Sequence, residues 1–264
     1  MAGKNQFSTD NKPVPQELLW LSHELGSPNR SWAVLGEGNA SCHCDSDSFF
    51  VKASGTQLRM LTEDQVVRVD KSKIMTALCD SKPMSDLEIK ELLNSATLSP
   101  KNIVPSVETL LHAYLLSLPN VTFVGHTHIT PIISIVSTRK GWDYLCSGRR
   151  LFPDEIVVCG IAPCCVPYAD PGLPLARQLV KSVEAFVQTY ATHPKTIYLQ
   201  NHGVIALGAS AAEVLNVSIM AEKGAQVLLG ALSIGSVQPL TSEQSWRIAE
   251  RPDEHHRQKM LGLT

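Results

Sequence analysis

Residues 105–114, Pro-Ser-Val-Glu-Thr-Leu-Leu-His-Ala-Tyr, and residues 121–129, Val-Thr-Phe-Val-Gly-His-Thr-His-Ile, decide how the rest of this chain is read. The second stretch alternates as a strand does, so His126 and His128 point to one face with Val124, and two imidazoles on one face can grip one metal ion. The first opens on Pro105-Ser106, a helix-entry signal. It places the Glu108 carboxylate in the first turn of a helix whose apolar series is Leu110, Leu111, Tyr114 and Leu115. A short polar connection can fold that turn back toward the histidines. An isolated His-x-His is a weak signal, and two ligands do not make a site. A third histidine strengthens it. In the run Thr196-Ile-Tyr-Leu-Gln-Asn-His-Gly-Val-Ile-Ala-Leu-Gly208, His202 occupies a polar break between two apolar β-type segments, and Gly203 after it suits a tight turn.

Around this unit the composition is that of an ordinary globular protein. The 264 residues are 44% hydrophobic with a formal charge of −2, and the pI is near 6.5. Nothing marks a seam, so residues 1–264 read as a single domain, with residues 1–15 a loose leader and 233–264 a helical or irregular tail. The charge balance suggests neither a nucleic-acid face nor a membrane-adhering patch. No apolar run approaches the ~18–20 residues that span a bilayer, and Met1 to Pro15 lack a signal-peptide core. The expected compartment is the cytoplasm. Seven cysteines, at 42, 44, 79, 146, 159, 164 and 165, are odd in number and scattered, which fits a reduced compartment and no disulfide framework. Cys42-His43-Cys44-Asp45 lacks the second Cys pair a zinc loop would need, so its thiols, like those of Cys164-Cys165, read as ordinary strand residues.

Taken in order, Gln16 to Leu25 has helical apolar spacing closed by Gly26. Gly36-Glu37-Gly38-Asn39-Ala40-Ser41 is a glycine-bearing turn whose backbone can approach a phosphate or sugar closely, with Asn39 and Ser41 as extra hydrogen-bonding groups. Phe49 to Lys52, leading into Ala53-Ser54-Gly55, repeats that pattern, and two such turns could line one pocket rim. Val66 to Val69 and Ser48 to Lys52 read as strands, Lys71 to Leu78 and Asp86 to Leu93 as helices, and Pro131 to Val136 as apolar sequence leading into a helix. Ile156 to Cys159 and Cys165 to Tyr168 read as strands, followed by a turn at Tyr168-Ala169-Asp170-Pro171-Gly172. Leu175 to Thr189 is a helix with Leu179, Val183, Phe186 and Val187 as its buried stripe. Ala211 to Leu232 is a long Ala-rich helix whose apolar positions are core or a subunit contact. Arg247 to Arg257 is charged, with His255 and His256 in solvent. Strands interspersed with helices and at least one hairpin point to an α/β or α+β layered domain. No turn meets the dinucleotide, P-loop or nucleophile-elbow spacing.

With Glu108, His126, His128 and His202 assembled, the sequence resembles the class II aldolase/adducin family from about Glu17 to Gly230. The marks are Gly38-Asn39-Ala40-Ser41, Ser54-Gly55, Pro105-Ser106-Val107-Glu108, His126-Thr127-His128, Pro167-Tyr168-Ala169 and Asn201-His202-Gly203. The run from Pro105 to Ala113 is similar to the aldolase domain of two-domain rhamnulose-phosphate aldolase/dehydrogenase proteins, with no counterpart here of the dehydrogenase half. The resemblance implies a three-layer α/β/α fold with a central, mostly antiparallel sheet, and a homotetramer with active sites near subunit contacts. It implies that His126, His128 and His202 hold a divalent metal, zinc above manganese or cobalt. It also implies that Glu108 is the catalytic acid/base and that Asn39, Ser54, Gly55 and Ser106 bind the substrate, a sugar or sugar phosphate.

The residues agree chemically. Three neutral imidazoles leave a coordination position open, as catalytic sites do. A metal-bound enediolate would then form when the carbon–carbon bond of a ketose or ketose phosphate breaks, with Glu108 moving the proton. Partial burial is expected to raise the pKa of Glu108 toward neutrality. Two departures weaken the phosphate expectation: Val107 stands where some members carry a second serine, and no tyrosine follows Gly230. A decarboxylase of a β-keto acid on the same scaffold needs the same groups. A 4-epimerase fits less well, since those members carry Asp at the position of Glu108. An adducin-like scaffold protein without metal is opposed by retention of all three histidines and the glutamate.

Overall fold

The computed structural model describes residues 12–99, 103–254 and 260. Among these, seven strands form one sheet: β1 Asn39–His43, β2 Ser48–Lys52, β3 Val66–Asp70, β4 Phe123–Thr127, β5 Cys164–Val166, β6 Thr196–Leu199 and β7 Gly203–Gly208. Their order is β3-β2-β1-β4-β7-β6-β5. Every neighbouring pair is antiparallel except β5 with β6. Alternation along the strands divides the interior in two. Phe123, Ala40, Cys42, Phe50 and Val204 face one core, and Val124, Phe49, Val51 and Ile205 face the other.

Ten α-helices among the described residues supply the outer layers: α1 Gln16–Leu25, α2 Lys71–Cys79, α3 Asp86–Ala96, α4 Thr109–Leu115, α5 Thr130–Val136, α6 Arg139–Cys146, α7 Pro153–Cys159, α8 Leu173–Tyr190, α9 Ala211–Ile234 and α10 Ser242–Ala249. Apolar faces of α1, α5, α6, α7, α9 and α10 close the first core, and those of α2, α3, α4 and α8 close the second. The result is the expected three-layer α/β/α arrangement around a mostly antiparallel sheet. Gly125 lets the first layer approach, since a methyl group there would lie 2.8 Å from both a Leu25 and a Val214 carbon.

Four readings of the sequence change. Ile156 to Cys159, expected as a strand, is the body of α7. Pro153 at its first position and Asp154 and Glu155 in its first turn start a helix, and Glu155 to Cys159 are all buried, so the run shows no polar face. Val187 is 37% exposed, so the buried stripe of α8 stops at Leu179, Val183 and Phe186. Glu108 is the residue before α4 and not within its first turn; Ser106 to Glu108 form the turn that leads in. The helix α9 is long and apolar enough to cross a membrane by length and composition, contrary to expectation. Its Val214, Val217, Ala221, Ala225 and Leu228 are instead buried in the first core. All seven cysteines are free thiols. The leader up to residue 11 and both His255 and His256 lie outside the described residues.

Candidate metal centre and active site

The sheet register sets the site. His126 lies opposite Asn39 on β1 and Ile205 on β7. His128 leaves the end of β4 with its backbone N–H held by the Trp32 carbonyl, 2.8 Å. His202 sits in the turn joining β6 to β7, so it returns beside β4 at the level of the other two. One ring nitrogen from each of the three lies within 4.8 Å of the others, and Nε2 of His126 and Nε2 of His128 are 3.2 Å apart. Two nitrogens bound at about 2.0–2.1 Å to one tetrahedral ion stand a little over 3 Å apart, so the His126–His128 pair already has the spacing one ion requires, with the third nitrogen within 4.8 Å.

The donor chemistry fits as well. Nδ1 of His126 is 3.0 Å from the Val204 carbonyl, which can only accept, so Nδ1 carries the proton and Nε2 presents a lone pair to the centre. Burial pushes the His126 pKa well down; Glu108 opposes this, and His128 and His202 add to it. His128 is lowered by burial and by His202, against Glu37 and Glu108. Neutral imidazoles are the form that ligates.

Glu108 stands at the same place. Its Oε1 is 3.3 Å from Nε2 of His202 and 3.7 Å from Nε2 of His126, and its Oε2 accepts from Asn39 Nδ2 at 2.5 Å. Burial would raise this carboxyl, but His126, His202 and the Asn39 hydrogen bond outweigh it and hold the pKa well below the ordinary carboxylate range. The expected rise toward neutrality is therefore reversed. A group partly buried among donors and imidazoles is stabilised in its charged form.

The remaining sequence-derived positions form a neighbouring cradle. Ala53 bridges to Pro105 and Ser54 N–H donates to the Val104 carbonyl at 2.9 Å, so the Ser54-Gly55 turn and Ser106 lie side by side. Ser54 and Gly55 are exposed, Gly55 adopts φ +76°, and the buried Ser106 Oγ has no hydrogen-bond partner among the described residues. Asn39 is placed differently from a free substrate contact, because both ends of its amide are engaged, one with Glu108 and one with His112. Lys52 was not singled out by the sequence. It is buried, donates to the Thr56 and Ala53 carbonyls at 2.8 and 3.3 Å, and sets an ammonium group beneath the Ser54-Gly55 turn. Burial lowers its pKa and Glu108 partly restores it. His112 was likewise missed, although it lies four residues after Glu108 and therefore on the same side of the helix.

Gly203 marks how tightly the centre is built. A methyl group there would lie 2.5 Å from the Thr127 carbonyl oxygen, 3.1 Å from a His128 ring carbon and 3.4 Å from one of His126. Gly203→Ala is expected to weaken metal binding by about 10–100-fold while the far-ultraviolet circular dichroism is kept, read by chelator competition. Unchanged affinity would show that the turn tolerates the displacement.

The chain is 27% identical over 201 residues to the uncharacterized oxidoreductase YuxG of Bacillus subtilis (strain 168), a match covering 73% of this chain and 26% of that protein. It thus spans about a quarter of that relative's length. It is 27% identical over 208 residues to methylthioribulose-1-phosphate dehydratase of Geobacillus kaustophilus (strain HTA426), covering 75% and 82% of the two chains. A solved L-fuculose 1-phosphate aldolase shares the fold, with a TM-score of 0.65 and 17% identity across 89% of this chain and 93% of that one. The profile of the class II aldolase and adducin N-terminal domain matches residues 16–229, and the chain therefore belongs to the class II aldolase and adducin family.

Proposed function

We propose that this protein is a metal-dependent carbon–carbon lyase that cleaves a ketose or ketose phosphate. The observation that carries the reading is the convergence of three imidazole nitrogens with a carboxylate oxygen 3.3 Å from one of them. His126, His128 and His202 would hold a divalent cation, with zinc the first choice for a three-nitrogen set. When bound, such an ion stabilises negative charge developing on the substrate oxygens. Glu108, ionised at rest, takes the proton from the hydroxyl whose carbon becomes the aldehyde. It then returns that proton to the carbon left electron-rich by the broken bond. One carboxylate can serve both steps because the proton leaves one fragment and ends on the other.

Ser54, Gly55 and Ser106 are assigned to the substrate's anionic group. An unpartnered buried hydroxyl, a left-handed glycine turn and the Lys52 ammonium beneath it support a phosphate there. The exposed apolar residues Ile219, Val227 and Ile234 on α9 support a subunit contact, and we assign a homotetramer. Seven free thiols support a reduced, cytoplasmic setting.

The dehydratase relative favours a second reading, loss of water from a ketose phosphate, which begins with a proton abstraction that Glu108 could also perform. The deciding experiment is a screen of ketose 1-phosphates with zinc or manganese that reads aldehyde, dehydrated ketone and CO₂ separately. Aldehyde release supports the lyase; dehydrated product or CO₂ alone replaces it by dehydration or decarboxylation. His202→Ala should reduce bound metal from about one equivalent per chain to a small fraction, measured by elemental analysis. Full occupancy in that variant would remove His202 from the ligand set, and a metal-free wild type would favour a scaffold protein.

A further inference from the structure

We infer that His112 is a positioning residue for Glu108, acting through the Asn39 side chain, whose carbonyl sets the His112 tautomer, with the Ser41 hydroxyl serving its other ring nitrogen. This deepens the lyase reading and rests on Glu108 being the proton carrier there.

The atoms in question form a chain whose direction is fixed by one fact. A carboxylate only accepts, so Asn39 Nδ2 must donate to Glu108 Oε2. The other end of that amide is then its carbonyl Oδ1, which can only accept, so the His112 Nε2 beside it must carry the hydrogen. A neutral imidazole protonated at Nε2 has a bare Nδ1, and the Ser41 hydroxyl 2.6 Å away donates to it. Burial keeps His112 neutral, holding its pKa down to about 4. Each donor meets an acceptor, from Ser41 through His112 and Asn39 to Glu108.

The bland alternative is a satisfied core histidine. Against it stands the location. Ser41 and His112 are 0% exposed and Asn39 3%, on the sheet face filled elsewhere by Val124, Val51 and Ile205. Burying three polar side chains costs more than burying apolar ones of similar volume unless each is hydrogen-bonded, so a mere core filler would not call for them. The chain also ends on the one oxygen of Glu108 that does not face the histidines. Glu108 and His112 are one helical turn apart, and Asn39 lies opposite His126 in the sheet. The amide thus ties the turn that carries the carboxylate into α4 to the strand carrying a metal ligand. Without the His112 donor, the buried Asn39 carbonyl is left unpaired and the amide is no longer held at that end, so it can rotate away and the carboxylate loses the hydrogen bond that aims it.

The test uses the full chain. Nitrogen-15 NMR of the His112 ring should show a protonated Nε2 and a bare Nδ1 between about pH 6 and 8, and a protonated Nδ1 would overturn the relay. His112→Phe should lower kcat about 10–100-fold with KM and metal content unchanged. Asn39→Ala should do the same, and the double variant should be no worse than Asn39→Ala alone. Additive losses would mean that His112 does not act through Asn39. His112→Gln, which can offer an amide N–H to Asn39, should recover part of kcat. Should His112→Phe fail to fold, the tautomer in Asn39→Ala takes its place: with the amide carbonyl gone the ring should populate both tautomers, and a single unchanged tautomer would show that Asn39 does not set it and overturn the relay. If no substrate is cleaved although the tautomer is as stated, the lyase reading fails alone. The relay is then judged by the Glu108 carboxylate carbon-13 signal, which should move in His112→Phe and would refute it by staying still.

Discussion

Replacing Glu108 by glutamine should leave metal content at the wild-type level and lower turnover by about three orders of magnitude, within the range for loss of a general acid/base. Glutamine has the same shape and can still face Asn39 with its oxygen, so the protein should fold and load normally. What it lacks is a group that can take and return a proton. At 1.36 kcal/mol per decade the loss corresponds to about 4 kcal/mol of barrier. The site makes the outcome specific. Glu108 Oε1 is 3.3 Å from His202 and 3.7 Å from His126, close enough that a structural ligand role would reveal itself as lost metal. Turnover within a few-fold of wild type would remove Glu108 from the mechanism. Loss of metal together with turnover would make it a ligand first. Because the carboxyl is held below its ordinary pKa, it rests as a base at neutral pH.

The sequence disclosed most of this centre because its signals are local. Alternation in β4 fixes the side of His126, and the polar break at His202 falls between two strands that can only form a hairpin. The limits of α1 were legible for the same reason, since its apolar spacing ends at Leu25 and Gly26 follows as the C-cap. The misreadings share a cause in tertiary context. Ile156 to Cys159 has the composition of a buried strand, and only Pro153 and the acidic first turn reveal that burial comes from packing against α9 and α10. The fall in the Glu108 pKa depends on His126 and on two groups 94 and 69 residues away in the chain, His202 and Asn39, which no single sequence window contains. His112 carries one local signal, the four-residue spacing from Glu108. Its partners Asn39 and Ser41 were visible as polar residues of a turn, while the register that stacks them against α4 was not.

A second large effect is expected far from the metal, at Arg150. This side chain is fully buried, and its guanidinium donates to Glu155 Oε1 at 3.1 Å, the Gly160 carbonyl at 3.1 Å, the Cys159 carbonyl at 2.8 Å and Thr196 Oγ1 at 2.9 Å. Glu155 Oε2 accepts from the Leu151 backbone at 3.0 Å, so the pair binds the segment before α7 to its C-terminus and to the start of β6. Arg150→Met keeps the apolar bulk but strands the Glu155 carboxylate, itself 7% exposed, together with two carbonyl oxygens. Removing one partner of a buried pair costs about 3–5 kcal/mol, which in a chain of this size lowers the melting temperature by about 10 °C. Adding Glu155→Leu should recover a substantial part, because the unpaired charge disappears with it. Chemical denaturation of the two variants decides the matter; equal stability of wild type and Arg150→Met would show that water reaches Glu155 and replaces the guanidinium. Metal content of the folded fraction should stay at the wild-type level in both. Thr196 opens β6 whereas His202 follows its far end, at least ~10 Å further along the strand, so the network stiffens the frame without touching the ligands.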